Sequence, residues 1–224
     1  MTARHPFLPV TLAALALAVL TGCHTPAHLL GTLAEEREMP YRPVNHRGDA
    51  RLPDDLHRVA VLPVHGGALA PTESAEALDG VLAAALQRQQ RFEIVTVSRE
   101  ECRRLFGAAD FSSVAALPHG FLDKLAARYA ADAVLFTDLT VYRPYQPLAL
   151  GFRAKLATTR DVRLVWAFDE VFSAEDPRLR RSLRLRQRTA EPAALVDPAP
   201  AVLQSPRRFG TVAADLMFGT LPPR

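Results

Sequence analysis

The sequence predicts an α/β fold: a three-layer αβα sandwich on a mixed sheet of about five strands. Three observations carry this. In the first half of the folded region, short apolar runs suited to buried strands alternate with segments of helical period, the order that produces parallel strands joined by helical crossovers. A stretch of strict apolar and polar alternation follows, the pattern of an antiparallel hairpin with one wet face. Beyond it lie further helical segments whose apolar stripes would be stranded unless they docked on the same domain.

Each element has its own local reason. Arg58-Val59-Ala60-Val61-Leu62-Pro63-Val64 is a short apolar run that suits a buried strand and ends at Gly66-Gly67. Thr72 or Ser74 is expected to cap a helix in which Leu78, Val81, Leu82, Ala85 and Leu86 fall on one stripe. Phe92 to Val97 makes a second strand. Ser98, with Glu101 three residues on, has the capping-box spacing of a helix start, and Cys102 lies within that helix. After a loop around Ala109 to Pro118, Phe121, Leu122, Leu125, Ala126 and Tyr129 again repeat at helical spacing, and Ala133 to Val141 reads as a third strand. From Leu150 onward Phe152, Ala154 and Leu156, then Val162, Leu164, Trp166 and Phe168, alternate with Arg153, Lys155, Arg163 and Asp169, with a turn at Thr159-Arg160-Asp161. Asp176 as N-cap and Pro177 at the first helical position open another helix. A Pro-rich connection from Glu191 to Pro200 leads to Ser205-Pro206, which starts a last helix striped by Phe209, Val212, Ala213, Leu216 and Met217.

The N-terminal segment has a different character. Arg4 precedes a largely apolar run from Val10 to Leu20, and Leu20-Thr21-Gly22-Cys23 follows. The run is shorter than the roughly 20 apolar residues that span a bilayer, and it has the charged start, apolar middle and small-residue end of a secretory signal. With cysteine directly after the small residues, it resembles the lipobox of a bacterial lipoprotein. That resemblance implies cleavage before Cys23 and lipid on its thiol, where several acyl chains at about 0.8 kcal/mol per buried methylene hold essentially for good. Residues 1–22 are read as signal peptide, 23–53 as a tether interrupted by Pro26, Pro40, Pro43 and Pro53 with a short helix at Leu29 to Arg37, and 54–224 as a periplasmic domain. His24 follows the Cys where an Asp would, in some bacteria, signal inner-membrane retention, and the resemblance implies the outer membrane, facing the periplasm.

Composition narrows the function. Roughly 200 residues follow Cys23, enough for one domain with a full core. Without the signal the chain carries 26 Lys and Arg against 24 Asp and Glu, a balance that argues against nucleic acid as partner. With Cys23 acylated, Cys102 is the remaining thiol, so stability must come from packing; a buried helix residue is the reading preferred for it. No Gly-rich phosphate loop, Cys-x-x-Cys pair or His-Glu-x-x-His appears. His65-Gly66-Gly67 after a strand suits an oxyanion-hole segment, but the Gly-x-Ser-x-Gly elbow that a hydrolase would pair with it is missing. Asp132 and Asp138 are read as structural carboxylates at strand ends. No catalytic residue, metal site, cofactor or small-molecule substrate is expected, apart from the covalent lipid on Cys23.

The strand Val59 to Val64, the segment Leu122-Asp123-Lys124-Leu125-Ala126-Ala127-Arg128-Tyr129-Ala130-Ala131-Asp132-Ala133-Val134-Leu135-Phe136 and the hairpin closing on Val165-Trp166 resemble one periplasmic domain group. That group is shared by curli-secretion lipoproteins of the CsgG type, penicillin-binding-protein activator lipoproteins of the LpoB type and the amino-terminal domain of TolB. The resemblance spans roughly Arg58 to Phe172, with Ala130-Ala131-Asp132 where the group has a junction Gly and Arg160-Asp161 at the hairpin turn. It implies a non-enzymatic lipoprotein that binds or scaffolds envelope proteins in an assembly or activator role. The alternative is a subunit of a curli-type secretion pore, with Leu148 to Phe172 as barrel wall; a hydrolase is the weaker third. One stretch is a candidate surface for an anionic partner: Arg178, Arg180, Arg181, Arg184, Arg186 and Arg188, with Leu179 and Leu183 turned inward. Guanidinium pairs bidentately with phosphate and carboxylate, so lipid headgroups, glycan peptides or an acidic protein fit it. The plainer reading is a solvated face paired with Glu170, Glu175 and Asp176.

Overall fold

In a computed structural model, residues 40–190 and 199–224 are described, with side chains except at 186–190 and 199–201. Residues 40–224 form one compact unit. Cys23 and the expected tether helix lie outside the described residues. Among the described residues no helix is long and apolar enough to cross a membrane.

The strands are β1 (His46–Gly48), β2 (Arg58–Val61), β3 (Glu93–Thr96), β4 (Ala133–Arg143), β5 (Ala149–Thr158) and β6 (Leu164–Ser173). The helices are α1 (Thr72–Arg88), α2 (Arg99–Phe106), α3 (Phe121–Tyr129), α4 (Pro177–Ala190), α5 (Ala199–Gln204) and α6 (Pro206–Phe218). One mixed sheet runs β1-β6-β5-β4-β2-β3. β2 is parallel to β3 and β4, where helices make the crossovers, and β4, β5, β6 and β1 are antiparallel. The αβα class therefore holds, with six strands rather than about five.

The added strand comes from the stretch read as tether. Residues 40–53 belong to the folded unit: β1 pairs with β6, Tyr41 and Leu52 are buried, and the Leu52 N–H donates to the Pro223 carbonyl at 2.8 Å. A three-residue strand has no period to detect, and only its partner makes it a strand. The expected cap of α1 also differs. Pro71 occupies the N-cap position and no side chain closes the first turn, so neither Thr72 nor Ser74 caps it. The other capping expectations are met: Ser98 accepts from the Glu101 N–H at 3.1 Å, Asp176 from the Arg178 N–H at 2.8 Å, and Ser205 from the Arg208 N–H at 3.4 Å. The junction between α3 and β4 shows what a glycine would do there. Ala130 adopts φ 50, the left-handed region, which costs a residue with a Cβ roughly 1 kcal/mol. Asp132, two residues on, accepts from the His57 and Arg58 N–H groups, both at 2.9 Å, and so anchors the start of β2.

The two sheet faces are covered unequally. On the first, α1, α6 and the Leu179 and Leu183 side of α4 enclose a core with Val59, Val61, Leu135, Phe152, Leu156, Trp166, Phe168 and Phe172. On the second, α2 and α3 cover β2 and β4 alone, where Cys102, Phe121 and Leu125 meet Ala60, Leu62, Val134 and Phe136. The apolar face of the β5–β6 hairpin lies inside the first core, not on a barrel wall.

Cys102 is buried as expected, and burial pushes its thiol up from the usual 9.0 to about 11. The folded protein is therefore expected to resist iodoacetamide at mildly alkaline pH and to react once urea unfolds it. Because the thiol ionises later folded than unfolded, this group's contribution to stability is full below pH 9 and lost as pH rises toward 11. Rapid alkylation of the folded chain would contradict the placement.

Candidate functional site

The uneven layering leaves the β5, β6 and β1 end of the second sheet face uncovered by any helix among the described residues. Register puts Gly151, Arg153, Lys155 and Ala157 of β5 beside Val171, Asp169, Ala167 and Leu164 of β6, with Arg47 of β1 opposite Ala167. A trough of about 260 Å³ runs between Arg47, the Lys155 and Arg153 row, and Val114 from the loop before α3. Ala167 is small enough to leave its floor open. Arg153 pairs with Asp169 at 2.8 Å, and the Lys155 ammonium donates to the Ser113 carbonyl at 2.8 Å. The apolar content is also high for a free surface: Val114 is 62% exposed, Val162 66%, Leu164 49% and Val171 47%. Val114 lines the trough, Leu164 and Val171 lie toward the two ends of β6 on this face, and Val162 is in the turn between β5 and β6.

The arginine helix lies elsewhere, over the first face. Arg178, Arg180, Arg181 and Arg184 are all exposed, while Leu179, Ser182 and Leu183 are buried. Arg186 and Arg188 fall in the helix, but their side chains lie outside the described residues. The expected pairing with neighbouring acids forms only in part. Arg178 stands 3.7 Å from Asp176 and its guanidinium lies 5.7 Å from the Tyr41 ring centroid. Glu170 is occupied by the Tyr41 hydroxyl at 2.6 Å and by the Val44 and Asn45 N–H groups. Burial, with this carboxylate beside it, holds the Tyr41 phenol well above its usual range. Arg180 and Arg181 make no ion pair with the described residues. Arg180 and Arg184, one turn apart, edge a groove of about 430 Å³ with Gln146, Pro147, Leu203 and Gln204.

A third constellation was not legible in the sequence. Arg99, 8% exposed, donates from Nε to Asp79 at 2.9 Å, from Nη1 to Asp110 at 2.6 Å and from Nη2 to the Val64 carbonyl at 2.7 Å. Asp79 also accepts from the Val64 N–H at 2.8 Å, and Asp110 lies 2.6 Å from His65 Nδ1. Burial raises the Asp79 carboxyl above its usual range, against the Val64 N–H and Arg99, which lower it. The network ties β2, α1, α2 and the following loop together. His65 and Asp110 have the spacing of a base and its orienting acid, yet nearby Ser113 Oγ is committed to Asp138. Asp132 and Asp138 both serve the backbone, Asp138 accepting from the Ser113 N–H at 3.0 Å. Among the described residues no group of three or more His, Cys, Asp or Glu is placed to hold a metal ion.

The class so defined is an α/β domain with a half-open sheet face and, over the other face, a cationic helix. No protein-family model matches the chain, and no curated protein does. Among solved structures it is similar to the lipoprotein GNA1162 from Neisseria meningitidis, at 18% identity over 52% of this chain and 82% of that one, with a TM-score of 0.41. It is similar to the PelC dodecamer from Paraburkholderia phytofirmans at 10% identity over 80% and 99%, TM-score 0.44. The C-terminal domain of LpoB from Salmonella enterica, one of the group the sequence resembles, matches at 14% identity over 52% and 82%, TM-score 0.37.

Proposed function

We propose that this protein is a non-enzymatic cell-envelope lipoprotein, held at the outer membrane by acyl chains on Cys23 and facing the periplasm, whose domain binds or scaffolds another envelope protein. The observation that carries the reading is the half-open sheet face, where Val114 lines a charged trough and Leu164 and Val171 stand exposed toward the two ends of β6, with no described helix over them. The lipobox-like Leu20-Thr21-Gly22-Cys23 supplies the anchor. The hairpin that a pore would need has its apolar face in the core, with Phe152, Leu156, Trp166 and Phe168 each no more than 2% exposed.

Cys23→Ser is expected to abolish metabolic lipid labelling and to release the protein from the membrane fraction. A photo-crosslinking residue at Val171 is expected to capture an envelope protein in living cells, and Lys155→Glu to reduce that capture at least tenfold. The same probe at exposed Gln87 on α1 should capture nothing comparable. Unchanged labelling in Cys23→Ser, equal capture from both positions, or turnover of ester or glycan substrates by the purified chain would overturn the reading.

A further inference from the structure

The chain joins the folded domain at the arginine helix. Tyr41 donates its backbone N–H to Ser182 Oγ on α4 at 3.1 Å, and its ring lies against Arg178. Residues 24–40 separate this point from Cys23 and reach at most about 60 Å fully extended. Whatever surface holds Cys23 therefore lies within about 60 Å of the α4 side of the domain.

Charge on α4 itself is of one sign. Over residues 177–185 α4 carries Arg178, Arg180, Arg181 and Arg184 and no acid. Asp176 is turned to Arg178, Glu170 is occupied by Tyr41 and the backbone beside it, and Glu175, which lines the same groove as Arg180 and Arg184, forms no ion pair with Arg180. The Arg180 and Arg181 guanidiniums have no ion-pair partner among the described residues, and Leu185 is 41% exposed beside them. Exposed arginines around an aliphatic side chain, where the chain coming from the lipid attachment enters the domain, suit an anionic leaflet, where each basic residue near the surface adds about 1 kcal/mol, roughly fivefold in partitioning.

We infer that the Arg180, Arg181 and Arg184 face of α4 rests on the anionic phospholipid headgroups of the bilayer that carries the Cys23 lipid. This contact orients the domain and turns the half-open sheet face, on the opposite side of the sheet, away from the membrane. The inference rests on the anchor reading of Cys23.

The test uses the full chain with Cys23→Ser, so that binding does not depend on lipid. Co-sedimentation is measured with vesicles of phosphatidylcholine alone and of phosphatidylcholine mixed with phosphatidylglycerol, at low and raised salt. Binding is expected to the mixed vesicles only and to weaken with salt. Arg180→Gln with Arg181→Gln should lower it on the order of 30-fold. Arg103→Gln with Lys124→Gln, equal in charge but on α2 and α3 over the other face, should leave it unchanged, with equal urea midpoints for both pairs. No preference for the anionic vesicles, or equal loss in both pairs, overturns the inference. So does tighter binding to polyglutamate than to mixed vesicles, which would make the face a protein site. Lipid labelling of the unmutated chain is scored separately, so labelled Cys23 without vesicle binding removes this surface and leaves the anchor standing.

Discussion

Arg99→Met is expected to destabilise the domain by roughly 3 kcal/mol, somewhat below the loss from breaking a fully buried ion pair because Asp79 and Asp110 keep some solvent access. The arginine is nearly enclosed, and its fork supplies bonds to two carboxylates and the Val64 carbonyl together. Methionine fills the volume but leaves two carboxylates and a carbonyl short of donors. Arg99→Lys should recover less than half the loss, since one ammonium cannot reach three acceptors set in a plane. The deficit should also depend on pH. Asp79 already has a folded pKa above its usual value because of burial, and removing Arg99 raises it further. A raised carboxylate pKa means the folded state binds the proton more readily, so the loss is full above that pKa and shrinks as pH falls through it. Urea denaturation near neutral pH and in mild acid measures both effects. A loss under 1 kcal/mol, or one that grows with acid, would show that the network does not hold these elements together.

Trp166→Ala should cost about 4 kcal/mol. Trp166 is 1% exposed, its ring centroid lies 6.0 Å from that of Phe168 and 6.2 Å from that of Phe218, and its Nε1 donates to Thr220 Oγ1 at 3.1 Å. The substitution therefore opens a cavity at the hairpin and loosens the segment after α6, which meets Leu52 and Leu56 through Pro223 and Arg224. Trp166→Phe, which keeps most of the ring, should cost nearer 1 kcal/mol. A protease that spares the parent chain should cut near the C-terminus of Trp166→Ala first. Equal loss in both variants would mean that the indole hydrogen bond, not the volume, holds the element.

Wherever a residue's role is set by its near neighbours in the chain, the sequence was enough. The stripe of α1, the Ser98, Asp176 and Ser205 caps, the alternation from Leu150 to Leu156 and the burial of Cys102 follow from side-chain period, local hydrogen bonding and hydrophobicity, whereas Val162 and Leu164, expected on the same apolar face, are exposed because the strand register shifts after Leu156. The αβα class follows from their order. The wet face of the hairpin was legible too, in Arg153, Lys155 and Asp169. What it lacked was a reason to be bare, because the reach of α2 and α3 across the second face depends on how the crossovers pack. The strand at His46–Gly48 and the Arg99 network share that origin. β1 is extended because β6 lies beside it, and Arg99 meets Asp79, Asp110 and Val64 only after two helices and a strand end converge. The arginines of α4 were countable in the sequence, but their position beside Tyr41, where the chain enters the domain, was decided by tertiary packing, since a contact between residues 41 and 182 leaves no trace in the local pattern of either segment.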